Sequence, residues 1–238
     1  MAKTIYHKAE SRGDAMHGWL HSRHTFSFAN YYNPERMHFG ALRVLNDDIV
    51  SRGEGFGMHP HDNMEIISIP LQGDLEHKDN LGNIAVIRKG DIQVMSAGTG
   101  IFHSEYNHNK DTDVNFLQIW VLTNKKNASP RYDQKSIRDM EKENTFFQIL
   151  SPNADDQGVW IYQDAWFHLG YFKAAHTESY HFKKEGNGLY IFLLEGQIEV
   201  DGQILDKRDG YGIWDTDKVT VTATKDASIL LMEVPMNF

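Results

Sequence analysis

The sequence contains no cysteine, which excludes disulfide bonds and thiolate metal sites. Imidazole and carboxylate groups are then the only good ligands for a metal ion. Long apolar runs are also missing, because the longest covers residues 189–194, whereas a membrane-spanning helix needs about 20 apolar residues. Residues 1–10 lack the apolar stretch of a secretory signal, so the sequence predicts a cytoplasmic protein.

Basic residues are in the minority, with 24 Lys and Arg against 33 Asp and Glu and a formal net charge of −9. This charge repels the phosphates of nucleic acids and anionic membrane surfaces. We therefore expect no direct nucleic acid partner and no membrane partner. The chain has 238 residues, of which 40% are hydrophobic, enough to bury the core of one large or two small domains.

Helical patterns are sparse, whereas runs rich in β-branched and aromatic residues recur between Gly, Asn and Asp turns. This spacing predicts an all-β sandwich or barrel. The runs cover residues 64–73, 83–90, 91–98, 115–122, 188–196, 197–205 and 227–234. The best helical candidate is the charged stretch 134–144, which we interpret as a connection between two domains.

An internal repeat supports two domains. LQGDLEH at residues 71–77 resembles LEGQIEV at residues 194–200, and the matching glycines, Gly73 and Gly196, are 123 positions apart (196 − 73). Each copy is followed by a turn, two short strands and another glycine. The repeat predicts duplicated β domains over residues 1–137 and 138–238.

Two pairs of potential metal ligands stand out. His59 and His61 lie in GFGMHPHDNMEI at residues 55–66, but 13 His would give roughly 0.7 His-x-His pairs by chance, so this pair alone is not diagnostic. On a strand, residues i and i+2 point to one face, so the two imidazoles can converge on one ion. His103 and Glu105 repeat this spacing after a second glycine-rich stretch. Three His and one Glu on adjacent strands form a candidate mononuclear site, although unrelated polar roles stay open on these residues alone.

Longer motifs resemble a known family. Gly53, His59, His61 and Glu65 match the general cupin pattern, and more specific matches occur at HTFSFANYY, LRVLNDD, GFGMHPH, AGTGIFHSEYN and SPRYDQ. Over essentially its full length, the chain resembles the pirin-like bicupins of the cupin superfamily. The resemblance implies two jelly-roll barrels of the double-stranded β-helix type.

The resemblance also implies a ligand set of His59, His61, His103 and Glu105, and it leaves Glu65 out. Strand parity places Glu65 on the same inward face, but an unbent strand advances about 13 Å in the four residues after His61. We therefore interpret Glu65 as a structural carboxylate that is hydrogen-bonded inside the barrel.

The second copy lacks these ligands. Counting from the repeated glycines places Phe182, Lys184, Ala223 and Lys225 at the four ligand positions. Only the first domain is therefore expected to carry a metal ion.

The remaining histidines give no second site. His176 and His181 are five residues apart, hence on opposite faces of a strand, and the three histidines at 17, 21 and 24 lie in a segment predicted as loop and strand. Aromatic residues near the ligands could line a pocket: Phe26, Phe28 and Phe56.

For bacterial members, the resemblance implies a quercetinase-like dioxygenase that opens the ring of a flavonol or similar polyphenol with dioxygen. Glu105 would be both a metal ligand and the acceptor of the flavonol proton. The ligand set suits Fe, Mn, Ni, Cu and Zn, and Fe is favoured. The alternatives are a non-catalytic, redox-sensitive regulator that binds a partner protein and a metal-stabilised module that binds a small ligand.

Overall fold

The structure, a computed structural model, describes residues 2–238 and consists almost entirely of strands. Helical turns in this part of the chain are limited to two 3₁₀ helices, Ala9–Ser11 and Arg138–Met140. The all-β prediction is confirmed. The strands, numbered β1 to β22 in chain order, are Lys3–His7, Gly13–Met16, Leu20–His24, Leu42–Val50, Gly55–His61, Met64–Gln72, Asp74–Asp79, Ile84–Arg88, Asp91–Ser96, Ile101–Asn107, Val114–Leu122, Arg131–Ser136, Phe146–Ser151, Val159–Trp160, Trp166–Phe172, Thr177–His181, Asn187–Glu195, Gln197–Val200, Gln203–Asp206, Gly210–Trp214, Lys218–Ala223 and Ala227–Pro235.

Each half of the chain is a jelly-roll sandwich of one large and one small sheet. In the N-terminal sandwich, the large sheet has the order β12-β9-β6-β11-β4-β3-β2 and the small sheet β5-β10-β7-β8. In the C-terminal sandwich, the orders are β1-β20-β17-β22-β15-β13-β14 and β16-β21-β18-β19. Two cupin-type domains were predicted, and this architecture confirms them.

The repeat is also visible in the strands. β6 (Met64–Gln72) and β17 (Asn187–Glu195) are both nine residues long and are offset by 123 positions (187 − 64), as the glycines predict. β11 and β22, which flank them in their sheets, are nine residues long as well. The glycine offset therefore identified structurally equivalent strands.

The prediction of a helix over residues 134–144 is wrong. Arg131–Ser136 form β12, which pairs with the outer edge of β9, and only Arg138–Met140 coil into a 3₁₀ turn. Without β12, the backbone N–H and C=O groups on that edge of β9 would have no strand partner, and this tertiary demand outweighs the helical pattern. The Arg138 guanidinium then donates a 2.9 Å hydrogen bond to Asp91.

The first strand crosses to the other domain. Lys3–His7 pair with β20, so these residues join the C-terminal large sheet, although they were predicted to belong to the domain of residues 1–137. Tyr6 donates a 2.5 Å hydrogen bond to Asp209, and the backbone N–H of Ala9 donates one of 2.7 Å to the same carboxylate. Long-range contacts of this kind leave no local sequence signal. The predicted boundary near residue 138 stays a prediction.

The buried residues form one core that both halves share and separate cores inside the two sandwiches. The shared core contains residues of both large sheets, including Leu42, Ile67, Leu117, Phe167, Phe192 and Leu230. The interior of the C-terminal sandwich is one apolar cluster that includes Tyr180, Leu189, Val219 and Val221. The N-terminal sandwich instead has two small apolar clusters, around Phe116 and around Ile66. The described residues include no helix long and apolar enough to cross a membrane.

Candidate metal centre

Two paired strands carry the predicted ligands. β5 and β10 are antiparallel neighbours in the small N-terminal sheet, and His59 lies directly opposite His103. The register shifts between His103 and Glu105, so Glu105 lies opposite Phe56 rather than Gly57. Such an irregularity bends the strand and changes the direction of side chains, as β-bulges commonly do beside active sites.

Three imidazoles converge at this point. One potential ligand nitrogen from each of His59, His61 and His103 lies within 4.8 Å of the others. The ring centroid of His103 is 4.5 Å from that of His59 and 4.9 Å from that of His61. The side chain of Trp120 packs edge-on against His61, with ring centroids 4.9 Å apart. The predicted convergence of the i and i+2 pair with a third histidine is therefore present in the structure.

The hydrogen bonds of these rings fit a bound metal ion. The Nδ1 of His59 is 2.7 Å from the carbonyl oxygen of Gly57, so Nδ1 carries the proton and Nε2 keeps its lone pair. The Nε2 of His103 is buried and has no hydrogen-bond partner in the described part of the chain. A buried nitrogen without a partner is costly unless a ligand occupies its lone pair. Residues 59, 61 and 103 can therefore hold a metal ion.

Burial also favours the neutral form of two rings. Burial, together with a smaller contribution from the neighbouring imidazoles, lowers the pKa of His61 to about 4 and that of His103 to about 3. Only the neutral imidazole has a lone pair for a metal ion.

Glu105 lies on the same strand but outside the histidine cluster. Its carboxylate is not among the groups whose ligand atoms lie within 4.8 Å of one another. The side chain is buried, with 1% exposed, and it accepts hydrogen bonds from Ser68 at 3.0 Å and from Gln118 at 2.9 Å. These two bonds use one lone pair on each oxygen and hold the carboxylate in a fixed orientation. The assignment of Glu105 as fourth ligand stays a prediction.

Glu65 lies elsewhere in the sandwich. It is buried on β6 opposite Ser96, whose hydroxyl donates a 2.6 Å hydrogen bond to the carboxylate. Burial raises the pKa of Glu65 to about 7, although Ser96 and the nearby Arg131 act in the opposite direction. Glu65 is also outside the histidine cluster. Its surroundings are those of the structural carboxylate that the sequence analysis described.

A cavity of about 250 Å³ adjoins His59 and His61. Phe26, Phe28 and Phe56 were predicted to line a pocket: Phe28 and Phe56 line this cavity, whereas Phe26 is buried in the shared core. Most of the other walls, which were not predicted from the sequence, come from β3, β4 and β11. Each of these strands supplies two polar or aromatic residues spaced by two: Ser22 and His24, Asn46 and Asp48, and Gln118 and Trp120. That parity was a readable signal, because alternate residues of a strand share a face.

Two further histidines lie near the cavity. His17 and His24 line it, while the side chain of His21 lies 2.9 Å from Asp14 in a partly exposed pair. The three do not group as potential ligands in the described chain, and His21 and His24 lie on a strand rather than a helix. Asp48 on the cavity wall accepts a hydrogen bond from Ser22, and burial raises the pKa of Asp48 to about 7.

Hydrophobic side chains occupy the equivalent region of the second sandwich. β16 and β21 correspond to β5 and β10, and there Tyr180 lies opposite Val219. Both residues belong to the apolar cluster of that sandwich. The four positions obtained by counting do not face each other in this way, since Phe182 and Lys184 follow the end of β16, Ala223 ends β21 and Lys225 lies beyond it. The metal-free second domain stays a prediction.

Gly55 allows the two ligand strands to approach each other, and we expect its substitution to be costly. A Cβ atom there would overlap the carbonyl oxygen of Glu105 and lie 2.5 Å from the Cα of Tyr106. Gly55→Ala is therefore expected to lower the free energy of unfolding by about 1–3 kcal/mol, measured by urea denaturation. Gly57→Ala is the matched control, because the nearest atom is 3.9 Å away, and we expect a change within about 0.5 kcal/mol. Equal effects of both substitutions would contradict the close-approach argument.

Comparisons with known proteins agree with this architecture. A family model described as Pirin matches residues 6–121, and one described as the quercetinase C-terminal cupin domain matches residues 148–234. The quercetin 2,3-dioxygenase of Escherichia coli K12 is 39% identical over 228 residues, which cover 96% of this chain and 97% of that protein. A pirin-like protein of Caulobacter vibrioides is 40% identical over 222 residues, or 93% of this chain and 95% of its own length.

A solved structure shows the same overall fold. The crystal structure of the bacterial pirin YhhW from Escherichia coli, in complex with nickel(II), superposes with a TM-score of 0.92 at 37% sequence identity. The alignment covers 98% of this chain and 99% of that one.

Proposed function

Since the chain belongs to the pirin family, we propose that it is a metal-dependent dioxygenase that opens the ring of a flavonol or similar polyphenol with dioxygen. The single observation that carries this proposal is the convergence of three imidazoles beside a cavity of about 250 Å³ with aromatic walls. A site with three protein nitrogens leaves coordination positions free for a substrate oxygen. The relative named quercetin 2,3-dioxygenase, 39% identical over nearly the whole chain, supports the same chemistry.

The cavity suits an aromatic substrate with hydroxyl groups. Phe28, Phe56 and Trp120 provide faces against which flat rings can pack. Asn46 and Asp48 provide polar groups on the same wall, where substrate hydroxyls can form hydrogen bonds. Apolar contact surface with a few polar groups is typical of sites that bind small molecules in a defined orientation.

The residues divide the chemistry between them. Residues 59, 61 and 103 would hold the metal ion, which when bound lowers the pKa of a coordinated hydroxyl group and orients the reactants. Glu105 accepts the flavonol proton, and it is the predicted fourth ligand. Ser68 and Gln118 hold the Glu105 carboxylate in place with hydrogen bonds of 3.0 and 2.9 Å. The buried surroundings exclude bulk water from this proton transfer.

One divalent metal ion per chain is proposed, and Fe is the favoured identity. Nitrogen and carboxylate ligands suit Fe, Ni, Mn, Cu and Zn, so the metal that the protein holds in the cell depends on supply as well as on geometry. The related bacterial pirin forms a complex with nickel(II), which supports a divalent ion for this chain. A cytoplasmic location also stays a prediction.

A specific observation favours a second candidate, the non-catalytic regulator that binds a protein. The outer face of the two ligand strands exposes Met58, Phe102 and Tyr106, with 58%, 49% and 39% of their surface accessible. Exposed apolar groups on the strands that carry the histidines would let the state of the metal influence a protein contact. Capture of a partner protein that depends on the metal, without flavonol turnover, would favour this candidate.

Oxygen consumption tests the proposed dioxygenase. We expect the protein loaded with Fe, Ni or Mn to consume dioxygen in proportion to an added flavonol such as quercetin, and the chelator-treated protein to consume none. An oxygen electrode and the absorbance of the flavonol measure the two reactants in parallel. Protein that holds one metal ion per chain but leaves the flavonol intact under air, with every metal tried, would contradict the proposal.

A further inference from the structure

We propose that His77 and Asp79 are positioning residues that fix the proton of His103 on Nδ1, and so keep its Nε2 available as a ligand. This inference rests on the proposed metal site but not on the reaction that occurs there. The side chains of Asp79, His77 and His103 contact one another in that order. The series ends at Nε2 of His103, the nitrogen that would bind the metal ion. His77 and Asp79 lie on β7. His77 is the last residue of the repeated segment LQGDLEH, but neither residue belongs to the predicted ligand set.

The three residues are neighbours on adjacent strands. β7 pairs with β10 on the side opposite to β5, with Asp79 opposite His103 and His77 opposite Glu105. The Nε2 of His77 is 3.1 Å from Oδ2 of Asp79, and its Nδ1 is 3.4 Å from the Nδ1 of His103. The side chains of His77 and Asp79 are both 0% exposed. Water therefore does not compete for these contacts.

The donor and acceptor roles along this series follow from Asp79, whose carboxylate only accepts hydrogen bonds. Its Oδ1 accepts the backbone N–H groups of Leu81 and Asn83 at 2.9 and 3.0 Å. Its Oδ2 accepts the Asn83 side-chain amide at 2.8 Å in addition to the His77 ring. The three N–H donors other than His77 stabilise the ionised form of the carboxyl group, so we assign Asp79 as a carboxylate, which can only accept a hydrogen bond from Nε2–H of His77.

The remaining protons can then be placed. In the neutral form of His77 on which this inference rests, the proton is on Nε2 and Nδ1 has a lone pair. The facing Nδ1 of His103 must carry a proton, because two lone pairs at 3.4 Å would repel each other. The lone pair of His103 is then on Nε2, the buried atom that has no partner within the described residues. A separation of 3.4 Å is long for a hydrogen bond, so we expect it to select the tautomer rather than to add much stability.

The ring of Tyr132 supports this arrangement. It lies 4.6 Å from the ring of His77 at an interplanar angle of 30°, which holds the imidazole plane in line with both partners. The Tyr132 hydroxyl bonds to Gln134 at 2.8 Å and takes no part in the series. Tyr132→Phe therefore keeps the stacked ring and serves as the matched control.

The experiment compares His77→Phe, Asp79→Asn and Tyr132→Phe with the parent protein. Zn²⁺ affinity is measured by competition with a chromophoric chelator, and the protonated ring nitrogen of His103 is identified in the metal-free protein by ¹⁵N NMR of labelled histidine. We expect His77→Phe and Asp79→Asn to bind Zn²⁺ about 10–100-fold more weakly, as happens when partners of metal-bound histidines are removed. We expect the parent and Tyr132→Phe to show His103 protonated on Nδ1 and to bind equally well.

The outcomes separate this inference from the proposed function. Parent protein with His103 protonated on Nε2, or His77→Phe with the affinity of the parent, would overturn the positioning role. Parent protein that binds no divalent metal would instead overturn the proposed metal site. Asp79→Asn removes a carboxylate that accepts four hydrogen bonds and is the variant more prone to misfold. His77→Phe leaves the other three donors of Asp79 in place. The result for His77→Phe therefore decides whether the positioning role holds.

Discussion

Flavonol oxidation is expected to fall by a factor of about 10²–10⁴ when Glu105 is replaced by glutamine, the range typical for loss of a general base. The amide keeps the size of the side chain and can still bond to Ser68 and Gln118, but it cannot accept a proton from the substrate. Because three imidazoles remain, most of the metal is expected to stay bound at saturating concentration. Metal analysis and oxygen consumption on the same preparation measure the two effects separately.

Glu65→Gln is the control for this substitution. Glu65 is as buried as Glu105, with 1% exposed, but it accepts its hydrogen bond from Ser96 on β9, away from Ser68 and Gln118. We expect its glutamine variant to oxidise flavonols at close to the parent rate. Parent activity in Glu105→Gln together with an inactive Glu65→Gln would show that the general cupin pattern, rather than the pirin one, describes this site.

Replacing His103 with alanine is expected to reduce the metal content from about one ion per chain to a small fraction of that, since it removes the buried imidazole opposite His59 and leaves two imidazoles on one strand with the predicted ligand Glu105. His103 is the most deeply buried of the three histidines, with 1% exposed, and its Nε2 has no other partner among the described residues. Elemental analysis after gel filtration measures the metal content. Dioxygenase activity is expected to disappear with the metal.

His168→Ala is the matched control for His103→Ala. His168 is a buried histidine of the second sandwich, its Nδ1 also lacks a partner within the described chain, and burial lowers its pKa to about 3, as for His103. Both substitutions therefore remove a buried neutral ring and leave a comparable cavity. His168→Ala is expected to keep the metal of the parent. Equal loss of metal from both variants would indicate a general effect on folding instead of a ligand role.

The sequence was sufficient for the features that depend on strand periodicity. The spacing of His59 and His61 predicted a common face, and the glycine offset predicted the equivalence of β6 and β17. The family resemblance predicted Glu105 as a ligand. The irregularity between His103 and Glu105 arises from the pairing of β10 with β5, which the sequence around Glu105 does not indicate. The orientation and the burial of the Glu105 carboxylate therefore could not be predicted from the sequence.

Other features depend on contacts between distant parts of the chain. Arg131–Ser136 form a strand because they pair with the otherwise unpaired edge of β9. Lys3–His7 belong to the C-terminal sheet because they pair with the edge of β20. The positioning role of His77 arises from the register of β7 against β10, which sets the distance from His77 to His103. None of these pairings has a signal within the segment itself, since a strand segment alone does not specify its neighbour.

The shared core has a thermodynamic consequence. Because the two large sheets bury their apolar faces against each other, and β1 belongs to the second sheet while β2 belongs to the first, neither sandwich can unfold without exposing the other. The two halves are therefore expected to behave as one cooperative unit. A ligand that binds only the native state lowers the population of every unfolded form that is linked to it. A metal ion bound in the first sandwich is therefore expected to stabilise the second sandwich as well, although it contacts no residue there.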